Sequence, residues 1–124
     1  MNELQVKKLQ DEFPIMMKNQ WPECNDGWFS LLHELCVNLQ KMKLDSSLTF
    51  AQIKEKFAVL RIYYDINGDN PEFPSDVVDS LIQETERKSE SVCEVCGEPG
   101  TIDNSRWWKK TLCEAHKASR AESA

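Results

Sequence analysis

No stretch of this chain approaches the ~20 consecutive apolar residues that a membrane-spanning helix needs. The opening segment, MNELQVKKLQDEF, has no apolar run leading to a small-residue cleavage site. It therefore does not read as a secretory leader, and a cytoplasmic location is expected. Signatures of catalysis are missing too. There is no HExxH, no GxSxG and no Gly-rich phosphate loop in a chain with only four glycines. Glu55 stands without a second carboxylate, a nucleophile or an oxyanion device, so a general acid–base role has nothing to work with. Internal repeats and low-complexity tracts are absent.

Positive charge is also scarce where it would matter for nucleic acid. The net charge is −6, unevenly spread. Residues 1–64 balance eight acids with eight bases, residues 65–98 hold ten acids and two bases, and residues 99–124 hold three acids and five bases. An acidic middle argues against wrapping a long duplex, because phosphate neutralisation dominates that affinity. It leaves room for a small anion at a local basic spot.

The hydrophobic pattern predicts an α+β fold, with helices packed on a small antiparallel sheet. A short helix is expected over residues 2–13, ended by Pro14. GWFSLLHELCVNLQKMK, residues 27–43, repeats Trp28, Leu32, Leu35, Leu39 and Met42 at helical spacing, with Asn25 or Asp26 as cap. Phe29, Leu31 and Cys36 widen that stripe, which makes this helix central. The period then changes. LTFAQIKEKFAVLRIYYDI, residues 48–66, predicts a hairpin of strands at about 50–56 and 60–66. One face would carry Ala51, Ile53, Leu60, Ile62 and Tyr64, and also Glu55, whose carboxylate then needs a partner. The outer face would carry Lys54, Lys56, Arg61 and Tyr63. Ser75 would cap a third helix running from Asp76 to about Ser91, with a polar tail that reads as a solvated arm. Residues 1–91 form the body in this reading, and residues 92–124 a separate finger.

The finger carries the strongest signal. Cys93 and Cys96 form a CxxC, sixteen residues separate Cys96 from Cys113, and Cys113 and His116 form a CxxH. Five cysteines is an odd number, and in a reducing compartment such pairs bind metal more often than they form disulfides. Two residues between ligands let the chain turn sharply enough for both to reach one ion, and Gly97 relieves the turn. Four protein ligands fill a tetrahedron, so one structural Zn²⁺ is expected. Arg106, Lys109 or Lys110 could offset its three thiolates. A knuckle, a hairpin over residues 100–112 and a C-terminal helix bearing Cys113 and His116 would make a treble-clef-like finger, with a zinc ribbon as the competing topology. His33 and Cys36 also share a helix face, but they lack a fourth ligand and read as rim and core residues.

Trp107 and Trp108 lie between Arg106 and Lys109. Interleaved aromatic and basic residues suit stacking with phosphate contact, or packing of one Trp onto the body while the other meets a ligand. Lys54, Lys56, Arg61 and Tyr63 could add a cationic face, or simply discourage edge pairing.

Three segments together resemble one family. IKEKFAVLRIYYD is similar to a "KEKFG-x-LRFY" segment. CEVCGEPG with WKKTLCEAH is similar to a "C-x-x-CG-x-PG … W-x-x-TLC-x-x-H" tail, and NDGWFSLL to a "DGW-x-x-LL" segment. The chain thus resembles, over about residues 21–118, a family of small, largely uncharacterised proteins of bacteriophages, prophages and bacteria. Ala58 departs from that pattern, which prefers glycine. The resemblance implies a compact α+β body, a metal tail and a phage or bacterial setting, with no established reaction. The expectation is a non-enzymatic binding protein for a host or phage protein, possible as a homodimer through the hairpin edge. The alternative is a protein that sequesters an anionic nucleotide-type ligand.

Overall fold

The computed structural model describes residues 1–122, and the last two residues of the predicted finger lie outside the described residues. Helix α1 spans Glu3–Glu12, and Asn2 caps it by accepting from the Gln5 N–H at 2.8 Å. A single 3₁₀ turn at Asp26–Trp28 leads into α2, Phe29–Lys41. Strands β1 (Leu48–Lys56) and β2 (Val59–Ile66) form an antiparallel hairpin, followed by α3, Ser75–Ser89. The finger contains β3 (Thr101–Asp103), β4 (Lys110–Leu112) and α4 (Glu114–Glu122). The predicted α+β class is the observed one.

One core joins the body. Trp28 of the 3₁₀ turn and Leu32, Leu35 and Leu39 of α2 meet Leu48, Phe50, Ile53, Leu60 and Ile62 of the hairpin, Val78 and Ile82 of α3, and Leu9 of α1. Met42 falls outside this core because α2 has already ended at Lys41, and its side chain is exposed. The capping expectation for α2 also fails. Neither Asn25 nor Asp26 caps it; the Asp26 carboxylate instead accepts from the Asn2 N–H at 2.7 Å and from its side-chain amide at 3.1 Å. That carboxylate ties the start of α1 to the start of α2.

The hairpin register contains a bulge between Phe50 and Gln52. Strict alternation would send Phe50 and Ile53 to opposite faces. With Ala51 as the extra residue both point into the core and Ala51 is exposed, which corrects the face predicted for Ala51. Both edges of the hairpin are occupied. On β1, Phe50 N–H donates to Met16 O at 2.8 Å and Glu55 N–H to Glu23 O at 3.0 Å. On β2, Leu60 N–H donates to Ser89 Oγ at 2.9 Å and Ile62 N–H to Glu86 Oε2 at 2.9 Å. The end of α3 is therefore no solvated arm: Ser89 is buried and serves the sheet edge. Ser75 is the first residue of α3 and not its cap.

Lys56 pairs with Val59, which leaves a two-residue turn at Phe57 and Ala58. Both have positive φ, +53° and +71°. Such a turn matches the strand twist but favours Asn and Gly, because a side chain in the left-handed region costs roughly 1–2 kcal/mol. The turn forms here because Glu55 Oε2 accepts the Ala58 N–H at 2.8 Å. Ala58 is fully buried, whereas Phe57 is 73% exposed. Phe57→Asn should therefore stabilise the fold by about 1 kcal/mol, read as a higher urea midpoint. A lower midpoint would mean that the phenyl ring supplies packing which this geometry lacks.

Candidate metal centre

The finger is built from backbone outward. Val92 and Pro99 form an isolated antiparallel bridge, and Cys93 N–H donates to Glu98 O at 2.7 Å. Between them the chain reverses in a knuckle closed by Gly97 N–H to Cys93 O at 2.9 Å, with Gly97 at φ +83°. β3 and β4 pair Thr101 with Leu112 and Asp103 with Lys110. Cys113 immediately precedes α4, and its carbonyl accepts the Lys117 N–H at 2.9 Å. His116 thus sits one helical turn beyond Cys113 and shares its face. Knuckle, hairpin and helix occur in the treble-clef-like order.

These elements gather the four predicted ligands so that their donor atoms lie within 4.8 Å of one another. Sγ of Cys96 and Cys113 are 3.8 Å apart, Cys93 Sγ is 3.6 Å from His116 Nδ1, and Cys113 Sγ is 3.1 Å from the same nitrogen. A tetrahedral ion with sulfur at about 2.3 Å and nitrogen at about 2.0 Å needs edges of roughly 3.5–3.8 Å. Two of the three separations meet that and the third is short. The cluster can hold one metal ion.

Within the cluster the electrostatics are mixed: a backbone hydrogen bond at Glu98 pulls the Cys96 thiol down, but burial and the neighbouring Cys93 and Cys113 sulfurs outweigh it and push it up. Burial pushes the Cys93 thiol up, but N–H groups of Cys113, Cys96 and Val95 directed at its sulfur outweigh this and bring it down to about 7. The two remaining cysteines differ. Burial pushes both Cys24 and Cys36 up to about 12, so neither offers a thiolate. His33 is bound to Glu12 at 3.1 Å and packs against Phe13 and Phe29. In mildly alkaline buffer, iodoacetamide should leave all five cysteines of metal-loaded protein unmodified. After chelation Cys93, Cys96 and Cys113 should react while the buried Cys24 and Cys36 stay protected. Mass spectrometry of the adducts identifies the sites.

The finger is bolted to the body at a place the sequence did not reveal. Gly27 N–H donates to Glu94 O at 2.7 Å, and Trp28 Nε1–H donates to Val92 O at 2.9 Å. A Cβ on Gly27 would lie 2.2 Å from Cys93 O. The Glu94 side chain, 2% exposed, accepts from Asn25 N–H at 3.1 Å and meets Lys110 Nζ at 3.3 Å. Lys110 also lies 3.9 Å from Glu55, and Thr111 Oγ1 donates to Ala58 O at 2.8 Å. Lys110 is thus committed to carboxylates at the joint. Glu94 and Gly27 are the structural residues of this joint that spacing rules missed; a carboxylate inside a CxxC ordinarily reads as solvated.

The remaining predicted site residues divide into groups. Lys56, Trp107, Trp108 and Lys109 line one open groove of 490 Å³, together with Glu55 and Phe57. Lys54 opposes Arg61 across the strands, with its ammonium 6.0 Å from the Tyr63 ring. Arg61 and Tyr63 line a different hollow against α3, beside Asp79 and Glu86. Arg106 donates to Arg120 O at 2.9 Å. The two tryptophans lie beyond the ends of β3 and β4, so strand alternation does not apply to them. Trp107 is 88% exposed and Trp108 42%. Neither shows the close packing onto the body that one was expected to have. Trp108 is held instead by Arg106 and Arg120, whose guanidinium carbons lie 5.4 and 5.2 Å from its ring. Arg120 also binds Asp103 at 3.0 Å and donates to the Trp108 carbonyl.

Comparisons with protein-family models, curated proteins and solved structures return no match. Among the described residues no helix is long and apolar enough to cross a membrane.

Proposed function

We propose that this chain is a zinc-stabilised, non-catalytic binding protein that engages a protein partner through the groove between the hairpin tip and the finger loop. The observation that carries this reading is Phe57. It occupies a backbone conformation that penalises a large side chain, and it is 73% exposed, so packing does not offset the penalty. Stability alone would place Asn there. The ring instead faces the groove that Trp107 and Trp108 line, forming an exposed aromatic cluster flanked by Lys56 and Lys109. Aromatic residues concentrate at the centres of interfaces because they bury large areas at low entropic cost.

The metal in this reading is Zn²⁺, which suits three sulfurs and an imidazole. Four protein donors leave no coordination position for a substrate, which supports a structural role. Thiolate ligands suit a reducing cytoplasm, and the resemblance over residues 21–118 suits a phage or bacterial setting. Lys56 and Lys109 beside Trp107 also favour a second reading, capture of an anionic nucleotide-type ligand.

Benzoylphenylalanine placed at position 107 tests the first reading in bacterial cells. Irradiation should give a discrete protein adduct that disappears when Phe57 is changed to Asp. The exposed Leu4 on α1 is the control position. No adduct, or the same adducts from position 4, would overturn it. A thermal shift with one class of mono-, di- or cyclic nucleotide would favour the second reading instead.

A further inference from the structure

The groove has a rim and a floor of different character, and together they specify an occupant. On the rim, Lys56 and Lys109 form no ion pair among the described residues, whereas neighbouring Lys110 is held by Glu94 and Glu55. Glu55, the groove's carboxylate, is turned to the Ala58 N–H and to Lys110. Two lysines therefore line the groove without a counter-charge, and the Lys56 ammonium lies 5.6 Å from the Phe57 ring. They do so on a chain of net charge −6. An acidic ligand is attracted at this spot and repelled over much of the remaining surface, which favours a single mode of docking.

The floor argues against a nucleobase. A base stacks in a flat slot, but the rings of Trp107 and Trp108 meet at 81° with centroids 5.2 Å apart, which makes a corner. Two guanidinium groups already lie against the Trp108 ring. A corner that shares one groove with Phe57 suits a bulky apolar side chain, which can touch a ring face and a ring edge at once. The volume, 490 Å³, accommodates a few side chains and not a broad protein face.

Building on the protein-partner reading, we infer that the groove binds a short, extended acidic peptide segment that inserts one large apolar side chain between Phe57 and the tryptophan corner. The flanking Asp or Glu residues pair with Lys56 and Lys109. The occupant is thus a linear segment of the partner, recognised by one anchor and its charged neighbours.

A display library of random linear dodecapeptides, panned on the metal-loaded full chain, tests this. Enriched sequences should carry one Trp, Phe, Leu or Ile among acidic residues. A synthetic, fluorescein-labelled peptide from the enriched set should bind at least about tenfold more weakly to the Lys56→Glu/Lys109→Glu variant and to Trp107→Ala. Zinc content and unfolding midpoint are measured on each variant, since both change only surface side chains. Enriched neutral or basic peptides that still lose binding on Trp107→Ala would overturn the acidic segment while leaving the groove as a protein site. Enrichment insensitive to all three residues, or no enrichment, would overturn both. Binding of fluorescein-labelled oligothymidylate in place of peptides, lost on charge reversal, would replace the peptide with a nucleic acid.

Discussion

Gly27→Ala is expected to destabilise the protein by about 3 kcal/mol, a large share of the ~5–15 kcal/mol that holds a domain together. The reason is local and steric. The new methyl would lie 2.2 Å from Cys93 O and 2.6 Å from the Glu94 carbonyl, both of them backbone atoms. Neither can swing away as a flexible side chain would. Relief requires the knuckle to lift from the 3₁₀ turn that precedes α2, which breaks Gly27 N–H to Glu94 O and Trp28 Nε1–H to Val92 O. It also uncovers Glu94, whose buried carboxylate depends on Asn25 and Lys110. Gly68 supplies the control. It has φ +68° but open space around it, so Gly68→Ala should cost only about 1 kcal/mol. Urea midpoints of the two variants make the comparison. Equal losses would mean that the knuckle does not abut the 3₁₀ turn at residue 27.

Removing the metal is expected to have the larger and more selective effect. Within residues 92–122 the buried set is small: Cys93, Glu94, Thr111 and Leu112. That is little apolar surface for ordering a finger, so ion binding at the four-ligand cluster is expected to supply much of its folding free energy, about 10–16 kcal/mol in isolated zinc-finger peptides. A chelator, or Cys113→Ser, should therefore unfold the finger while the body keeps the core around Trp28, Leu35 and Ile53. Hydrogen exchange followed by mass spectrometry resolves the two parts. Amides of residues 92–117 should lose protection after chelation, while those of α2 keep theirs. Unchanged protection in the finger would show that it stands without a metal. The groove would be lost with the finger, because Trp107 and Trp108 come from one side and Phe57 from the other.

Both effects turn on features that differ in how visible they are in a sequence. The ligands were legible because two-residue spacings within each pair are dictated by the reach of the chain around an ion. The helices and the hairpin were legible from periodicity, since α2 buries Leu32, Leu35 and Leu39 and β2 buries Leu60 and Ile62. The bulge at Ala51 was not, because one extra residue breaks the alternation from which strand faces are read. Phe57–Ala58 contradicts ordinary turn chemistry, so the turn could be located but its strained conformation could not. Glu86, Ser89 and Glu94 look like solvent-facing residues in a helix tail and a knuckle. Their partners are backbone N–H groups distant in sequence, at Ile62, Leu60 and Asn25. The groove fails to show for the same reason: the chain brings its two halves together only after folding.

X-ray absorption spectroscopy of tag-free protein purified with its native metal bears most directly on the clamp that organises the finger. At the zinc edge we expect three sulfur neighbours at about 2.3 Å, one imidazole nitrogen at about 2.0 Å and no oxygen. A first shell with fewer than three sulfurs, a bound water, or no stoichiometric metal at all would contradict a closed site made by Cys93, Cys96, Cys113 and His116.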